Sequence, residues 1–595
     1  MTRSVISTMV MTVTCAATIG VHAGPTITTS AGVIEGIVQD GVVAFLGVPF
    51  AAPPTGALRF QPPRPHSPWS GTRKATTAGP MCLQGSGPHP PSPCGSFCND
   101  HGYQPDECGC GVCGSFGGCS FSCTADPAAG RYECPTHAAS AAMSEDCLVL
   151  NVFAPVSALA EAAAPERDLL PVMFNIHGGG FVGGSAGTAW NLTRFSGSVV
   201  IAIQYRLGAL GFFSTAAEGE ALPNLGMADQ VLALQWTQAN ARAFGGDPSR
   251  VLIFGCSAGG ASVAGHLVST AATGLYHAAG IESPGGHQGW MGDAVRSNDD
   301  WMSADLNREN SDALAADINC TSRTDLACLQ AAELSVLYRA SLQRRLAPAL
   351  DGEVFPLGLI RQGLWNKVPT IIGGQSCESC ADAEARLGPP TASVSTAELT
   401  DALVAEGFSG VNGSGVGATT LVNEWYAARI ASEGNWRTLA RILSDSGHAC
   451  SSALHAEALA TTAPAGTVWR YFFEYTLPSD PLPGATHGGD EAWLFRTTGT
   501  SADEIALSED MASWWANLAA SGDPNLPSAG GLLRKRVAAP KRPKWIAYSG
   551  APPSGAAPPH DVMFLGLGHD PLPRLNASID TVRAECAHWK AFLGW

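Results

Sequence analysis

Short apolar runs recur along the middle of the chain, each closed by a turn. Val149–Phe153, Val172–Ile176, Val199–Tyr205 and Val251–Phe254 are rich in β-branched and aromatic residues. Runs of this length suit strands buried on both faces, and so a mostly parallel sheet. Between the last two lies NLGMADQVLALQWTQANARAF, apolar at helical spacing. Trp469–Tyr475 predicts a further strand, Glu509–Ala520 a helix and Ile579–Phe592 a closing helix. Thr26–Val38 alternates like an edge sheet, and FLGVPFAAPPTGALRFQPP continues it as Pro-rich loop. The stretch from Gly530 to Leu565 reads as Pro-rich connection, and GFSGVNGSGVG near 410 as a flexible loop. Strands alternating with helices predict an α/β architecture. No internal repeat is present.

The pattern breaks over 86–140. This stretch is rich in Gly, Pro and Ser and carries Cys94, Cys98, Cys108, Cys110, Cys113, Cys119, Cys123 and Cys134. Its aliphatic content is too low for a core, so disulfides are expected to hold it as an insertion. A zinc site using these cysteines with His101 or His137 is the rival reading. The other end effect is at the start. Arg3, an apolar stretch from Val5 to Val21, and Val21-His22-Ala23 together fit a secretory leader cleaved before Gly24. The stretch is short for a membrane span and is interrupted by Ser, Thr and Cys. Lipidation at Cys15 is a weak alternative, because Thr14 precedes it. The chain is therefore expected to be secreted, extracellular or periplasmic, with 1–23 a signal peptide and 24–595 the mature domain.

Composition narrows the partners. With 45% hydrophobic residues, the 595-residue chain can build one large core. A net charge of -17 argues against nucleic acid or an anionic membrane surface as partner. No other run is long and apolar enough to span a bilayer. Eighteen cysteines in an oxidising compartment imply disulfides.

The chemistry is concentrated where Val251–Phe254 runs into Gly255-Cys256-Ser257-Ala258-Gly259 and then GASVAGHLV. Strand, G-x-S-x-G, helix is the context of a nucleophile elbow. Ser257 must stand on a strained turn, and its neighbours two residues away pass too close for side chains. Cys256 points off that elbow and reads as a packed small residue. Val172–Ile176 leads into His177-Gly178-Gly179-Gly180-Phe181. Gly178, Gly180 and Gly183 also spell a dinucleotide fingerprint, but that needs an acid at the end of the next strand, where Gln204 and Tyr205 stand.

FGGDPSRVLIFGCSAGG (244–260) resembles the active-site signature of the type-B carboxylesterase and cholinesterase-like family, and SEDCLVLNVFAP (144–155) its second signature, with Val149 where Tyr or Thr is usual. FLGVPFAAPPTGALRF, YRLGALGFFS, DQVLALQW and SGDPN extend the likeness over nearly all of the chain except 86–140. The resemblance implies an α/β-hydrolase fold, a mostly parallel central sheet flanked by helices, with no cofactor and no metal. It implies Ser257 as nucleophile, His487 in GATHGGDEAWLF as general base, and Glu378 in PTIIGGQSCESC as the acid. At the last segment Cys377 and Ser379 replace the family's Asp and Gly. By the same likeness, the N–H groups of Gly179, Gly180 and Ala258 form an oxyanion hole, and Trp290 lines the acyl side.

The resemblance also implies the disulfides Cys82–Cys147, Cys320–Cys328 and Cys450–Cys586. Cys377 and Cys380 are left to pair with each other, or to act as a redox CxxC, although no thioredoxin-like βαβ unit surrounds them. Cys256 is the odd one out. The activity implied is hydrolysis of a small or lipid-like carboxylic ester through an acyl-serine. A lipase is the open alternative, because the loop bracketed like 82–147 is a lid in lipases of this family. A cholinesterase is disfavoured, since His137 stands at the choline-binding Trp position. A non-catalytic adhesion protein is disfavoured by the filled triad positions.

Overall fold

The computed structural model describes residues 24–84, 124–126, 131–133, 143–160, 168–287, 299–350, 356–408, 416–477, 480–499, 501–526, 545–549, 562–565 and 586–589. Ten strands form its central sheet: β1 (Ile37–Gln39), β2 (Val42–Pro49), β3 (Val149–Pro155), β4 (Leu170–Ile176), β5 (Val199–Ile203), β6 (Gly246–Cys256), β7 (Ala278–Glu282), β8 (Thr370–Gln375), β9 (Val468–Phe473) and β10 (Val562–Leu565). Their order is β10-β9-β8-β7-β6-β4-β5-β3-β2-β1. The seven strands from β10 to β5 pair in parallel, and β3, β2 and β1 add antiparallel pairs at the other edge.

The parallel strands are apolar because both of their faces are covered. In β4, Val172, Phe174 and Ile176 enter one core layer and Met173 the other; in β6, Val251 and Ile253 oppose Leu252 and Phe254. Helices α1 (Leu225–Asn240) and α2 (Ala258–Val268) cover the first face. Helices α3 (Cys380–Leu387) and α4 (Cys450–Thr462) also contribute to that layer. Helix α5 (Ala502–Ser521) covers the second with Met511, Trp514 and Trp515. It begins at a capping box between Ser501 and Glu504 and stops at Gly522, whose φ is 75°.

The strands seen in the apolar pattern lie where expected, with shifted ends. Three others, β2, β7 and β8, escape that pattern; the expectation of Pro-rich loop from Phe45 is corrected, because Phe45–Pro49 pairs with β3 inside the sheet. The expectation of connection throughout 530–565 is corrected at its end: Val562–Leu565 pairs with β9 and closes the sheet. Of the expected closing helix, residues 586–589 are described and are helical. Of the insertion, Thr124–Asp126 and Arg131–Glu133 pair as antiparallel strands. The leader, Trp290 and the insertion's cysteines lie outside the described residues.

Disulfides join Cys82 to Cys147, Cys320 to Cys328, Cys377 to Cys380 and Cys450 to Cys586. Two buried ion pairs fix the loops around the sheet's carboxyl edge. Arg206, just after β5, grips Asp229 of α1 through Nη2–Oδ1 at 2.7 Å and Nε–Oδ2 at 2.8 Å. Arg59 grips Glu145 through Nε–Oε1 at 2.6 Å and Nη2–Oε2 at 2.8 Å. Bidentate geometry is what makes such buried charges tolerable.

Candidate active site

Ser257 stands between β6 and α2 with φ 59° and ψ −126°, a conformation rare for a residue with a side chain. The turn is enforced by its neighbours. A Cβ on Gly255 or on Gly259 would collide with the carbonyl oxygen of Ile176, and one on Gly260 would lie 2.5 Å from the carbonyl of Glu282. The Ser257 N–H donates to Glu282 O at 2.9 Å, and the Ser257 carbonyl accepts from Ala261 N–H at 2.8 Å. The nucleophile candidate is thus wedged between β4 and β7 and sits at the amino end of an eleven-residue helix, where the peptide dipoles favour negative charge.

The glycine-rich segment after β4 lies against this elbow. A Cβ on Gly178 would be 3.1 Å from Cβ of Ser257, so only glycine lets the two chains approach. Gly179 and Gly180 have φ of 114° and 60°, and Val182 and Gly183 N–H groups turn back onto Gly179 O at 3.1 and 3.0 Å. His177 is held beneath by stacking on Tyr205, with centroids 4.4 Å apart, while the Tyr205 hydroxyl donates to His177 O at 2.9 Å. Burial pushes the His177 imidazole down to about 4, so it stays neutral and serves as packing. Gln84, the last described residue before the insertion, brackets the same segment. It accepts from Gly184 N–H at 2.9 Å and donates to Gly184 O at 2.9 Å.

Glu378 and His487 come from turns after β8 and β9. Nδ1 of His487 lies 2.6 Å from Oε2 of Glu378, and the His487 N–H donates to Glu378 O at 3.2 Å. The other carboxylate oxygen, Oε1, accepts from the Ser283 hydroxyl and from Gln375 N–H, both at 2.7 Å. The Glu378 side chain is fully buried, so every one of these bonds offsets lost hydration. The two replaced family positions have roles here: Cys377 is in a disulfide, and Ser379 N–H donates to Ser444 Oγ at 3.0 Å. The histidine loop reaches the elbow, since a Cβ on Gly488 would sit 3.8 Å from Sγ of Cys256.

Three features of the site become visible only in the folded chain. Ser283 is one polar residue after β7, with φ 43°, and only the fold brings it to Glu378. The ring of His448 packs 4.0 Å from that of His487, centroid to centroid. Burial, then the neighbouring His487, pushes His448 well below the usual histidine range. Donor atoms of Glu378, His448 and His487 lie within 4.8 Å of one another, but the first and last are already committed to each other.

The third is a group of buried acids behind the elbow. Glu282 accepts from Trp515 Nε1 at 2.8 Å, and burial, then Asp490 and Glu491, pushes it well above the carboxylate range. Burial pushes Asp490 up to about 6 although Tyr471 donates to it at 2.5 Å. Burial and Asp490 push Glu491 up to about 7, against the opposing pull of His487. Cys256, the one cysteine outside a disulfide among the described residues, faces this group; burial and then Glu491 raise its thiol well above its ordinary value. It carries no thiolate near neutrality.

Residues 23–554 match the Carboxylesterase family. The chain is 30% identical over 508 residues to carboxylesterase 1C of Rattus norvegicus, covering 83% of each. It is 35% identical over 373 residues to the medium-chain fatty acyl-CoA hydrolase precursor of Anas platyrhynchos, 60% of this chain and 57% of that protein. It is 36% identical over 351 residues to an acylcarnitine hydrolase of Rattus norvegicus, 58% of this chain and 53% of that protein. These last two matches span little more than half of the relatives' length. A solved PNB esterase superposes with a TM-score of 0.60 at 26% identity, covering 84% of this chain and 91% of that one. Among the described residues, no helix is long and apolar enough to cross a membrane. The chain has the α/β-hydrolase fold and belongs to the carboxylesterase family.

Proposed function

We propose that the chain is a secreted serine carboxylesterase that cleaves carboxylic esters through an acyl-Ser257 intermediate. The observation that carries this reading is the 2.6 Å contact of His487 Nδ1 with Glu378 Oε2, on a loop whose Gly488 reaches Cys256, the neighbour of a serine held at φ 59°. Glu378 fixes Nδ1 as the protonated nitrogen and leaves Nε2 as the base. Nε2 takes the Ser257 proton as Oγ attacks the ester carbonyl. The tetrahedral oxyanion is received by the N–H groups of Gly179, Gly180 and Ala258 and by the dipole of α2. The imidazolium, stabilised by Glu378, then protonates the departing alcohol. A water molecule, deprotonated by the same Nε2, releases the acid and restores Ser257.

The leader-like 1–23 and the disulfides support passage through an oxidising compartment. Trp290 is proposed to line the acyl side. The 86–140 insertion is proposed to border the cleft, supported by Gln84 at its base bonding to Gly184 beside the glycine-rich loop. The substrate is proposed to be a small or lipid-like ester. The test is a panel of esters varying acyl length and alcohol, each as monomer and as emulsion. Turnover of monomeric esters is expected; turnover confined to emulsions makes the chain a lipase, and no turnover of either contradicts the reading.

A further inference from the structure

The turn that carries Glu378 is closed by a disulfide. Strand β8 ends at Gln375, and Ser376–Ser379 form a turn outside any strand or helix. Cys377 and Cys380 are bonded across it, one residue before and two after Glu378. Cys380 is the first residue of α3 and is fully buried, so one sulfur is anchored in the core. Cys377 is half-buried and faces the histidine loop: a Cβ on Gly484 would lie 2.9 Å from its Cβ. The two loops are stitched together there. Cys377 N–H donates to Ala485 O at 2.9 Å, Ala485 N–H donates to Ser376 Oγ at 2.9 Å, and His487 N–H donates to Glu378 O at 3.2 Å. The disulfide therefore pins to the body of the protein the edge of the turn against which the histidine loop is laid.

We propose that the Cys377–Cys380 disulfide is a redox-modifiable clamp that positions Glu378 against His487. This rests on the reading of Glu378 as the catalytic acid. Cys377 and Cys380 are positioning residues, since neither touches the reacting atoms. A small dithiol is the reductant the clamp would take. Its thiolate attacks Sγ of Cys377, the less buried of the two residues, and the Cys377–Cys380 bond breaks to release the Cys380 thiolate, which takes a proton. The reductant's second thiol then attacks the mixed disulfide, leaving as a cyclic disulfide and Cys377 as a thiol. Two electrons pass to the protein and none are unaccounted for. Cys82, Cys147, Cys450 and Cys586 are all buried, so those two bridges are shielded from the same attack.

The test compares the full-length protein with Cys377→Ser/Cys380→Ser, with Glu378→Gln, and with Cys320→Ala/Cys328→Ala as a control for the other bridge with a half-buried cysteine. The clamp predicts that Cys377→Ser/Cys380→Ser lowers kcat by about tenfold or more, since small displacements of a catalytic group are costly. KM should change by less than about twofold, because substrate contacts are untouched. The acid limb of the pH–kcat/KM profile should move to lower pH, because an imidazolium with a looser anion is less stabilised. Dithiothreitol should reproduce these changes in the wild type and in the control, reversibly on reoxidation and before any change in melting temperature, and should not affect the double variant further. Wild-type kcat and pH profile in the double variant, or activity lost only together with the fold, would overturn the clamp. If the double variant does not fold, the reversible titration of the wild type decides alone. Near-full activity of Glu378→Gln would instead overturn the reading of Glu378 as the acid.

Discussion

His487 and Glu378 are joined twice, by Nδ1 to Oε2 at 2.6 Å between side chains and by His487 N–H to Glu378 O at 3.2 Å between main chains. The double link fixes both the tautomer of the imidazole and the plane in which it lies. Ser283 Oγ and Gln375 N–H then hold the opposite carboxylate oxygen, so the anion cannot swing away.

Replacing the anion should therefore cost far more than replacing one of its supports. Glu378→Gln is expected to lower kcat by about a hundredfold or more, because the amide can present the wrong atom to Nδ1. Ser283→Ala, which leaves the Gln375 N–H in place, is expected to cost less than about tenfold. Steady-state kinetics of the two variants check this order. Ser283→Ala as damaging as Glu378→Gln would mean that the hydroxyl has a chemical role of its own.

The acids behind the elbow make a prediction about stability. Glu491 moves from its ordinary 4.5 up to about 7, and Asp490 from 3.8 up to about 6. The folded state thus binds more protons than the unfolded chain between those limits, and stability falls as pH rises through that window. Glu491→Gln, a neutral stand-in for the protonated form, should match the wild type in denaturant melts at pH 5. At pH 8 it should be more stable, by on the order of 2 kcal/mol. Equal stabilities at pH 8 would show that Glu491 ionises in the fold at little cost.

These acids illustrate what the sequence alone hides. Strands β4, β5 and β6 were legible because burial on both faces leaves continuous apolar runs, and the elbow because Gly255 and Gly259 are sterically required. Strands β7 and β8 were not, since Ala278, Ala279, Gly280, Gly373 and Gly374 make them weakly apolar in composition although fully buried. The parallel pairing of Val562–Leu565 depends on β9, nearly a hundred residues earlier, and four apolar residues in a Pro-rich tail carry no period. The Ser257, Glu378 and His487 positions could be proposed from short segments resembling the family. Ser283, His448 and Glu282 could not, because a lone Ser, His or acid is ordinarily a surface residue and only tertiary packing buries these beside the site.

The insertion should affect access more than chemistry. Its base is tied by Cys82–Cys147 and by Gln84 to Gly184, next to the glycine-rich loop. Deleting 86–140 while keeping both cysteines should leave a folded protein that hydrolyses a small soluble ester. Activity on bulky or emulsified esters should change by a larger factor. Equal effects on the two classes would remove the insertion from the entrance, and loss of folding would make it structural.

If Ser257 Oγ is the nucleophile that receives the acyl group, covalent labelling tests it most directly. An alkyl phosphonate ester should add one equivalent to the protein, mapped by peptide mass to Ser257, with hydrolysis lost in proportion to labelling. Ser257→Ala should take up no label and lose about four orders of magnitude or more in kcat. Label on a different residue, or a Ser257→Ala variant that hydrolyses esters at the wild-type rate, would contradict the account.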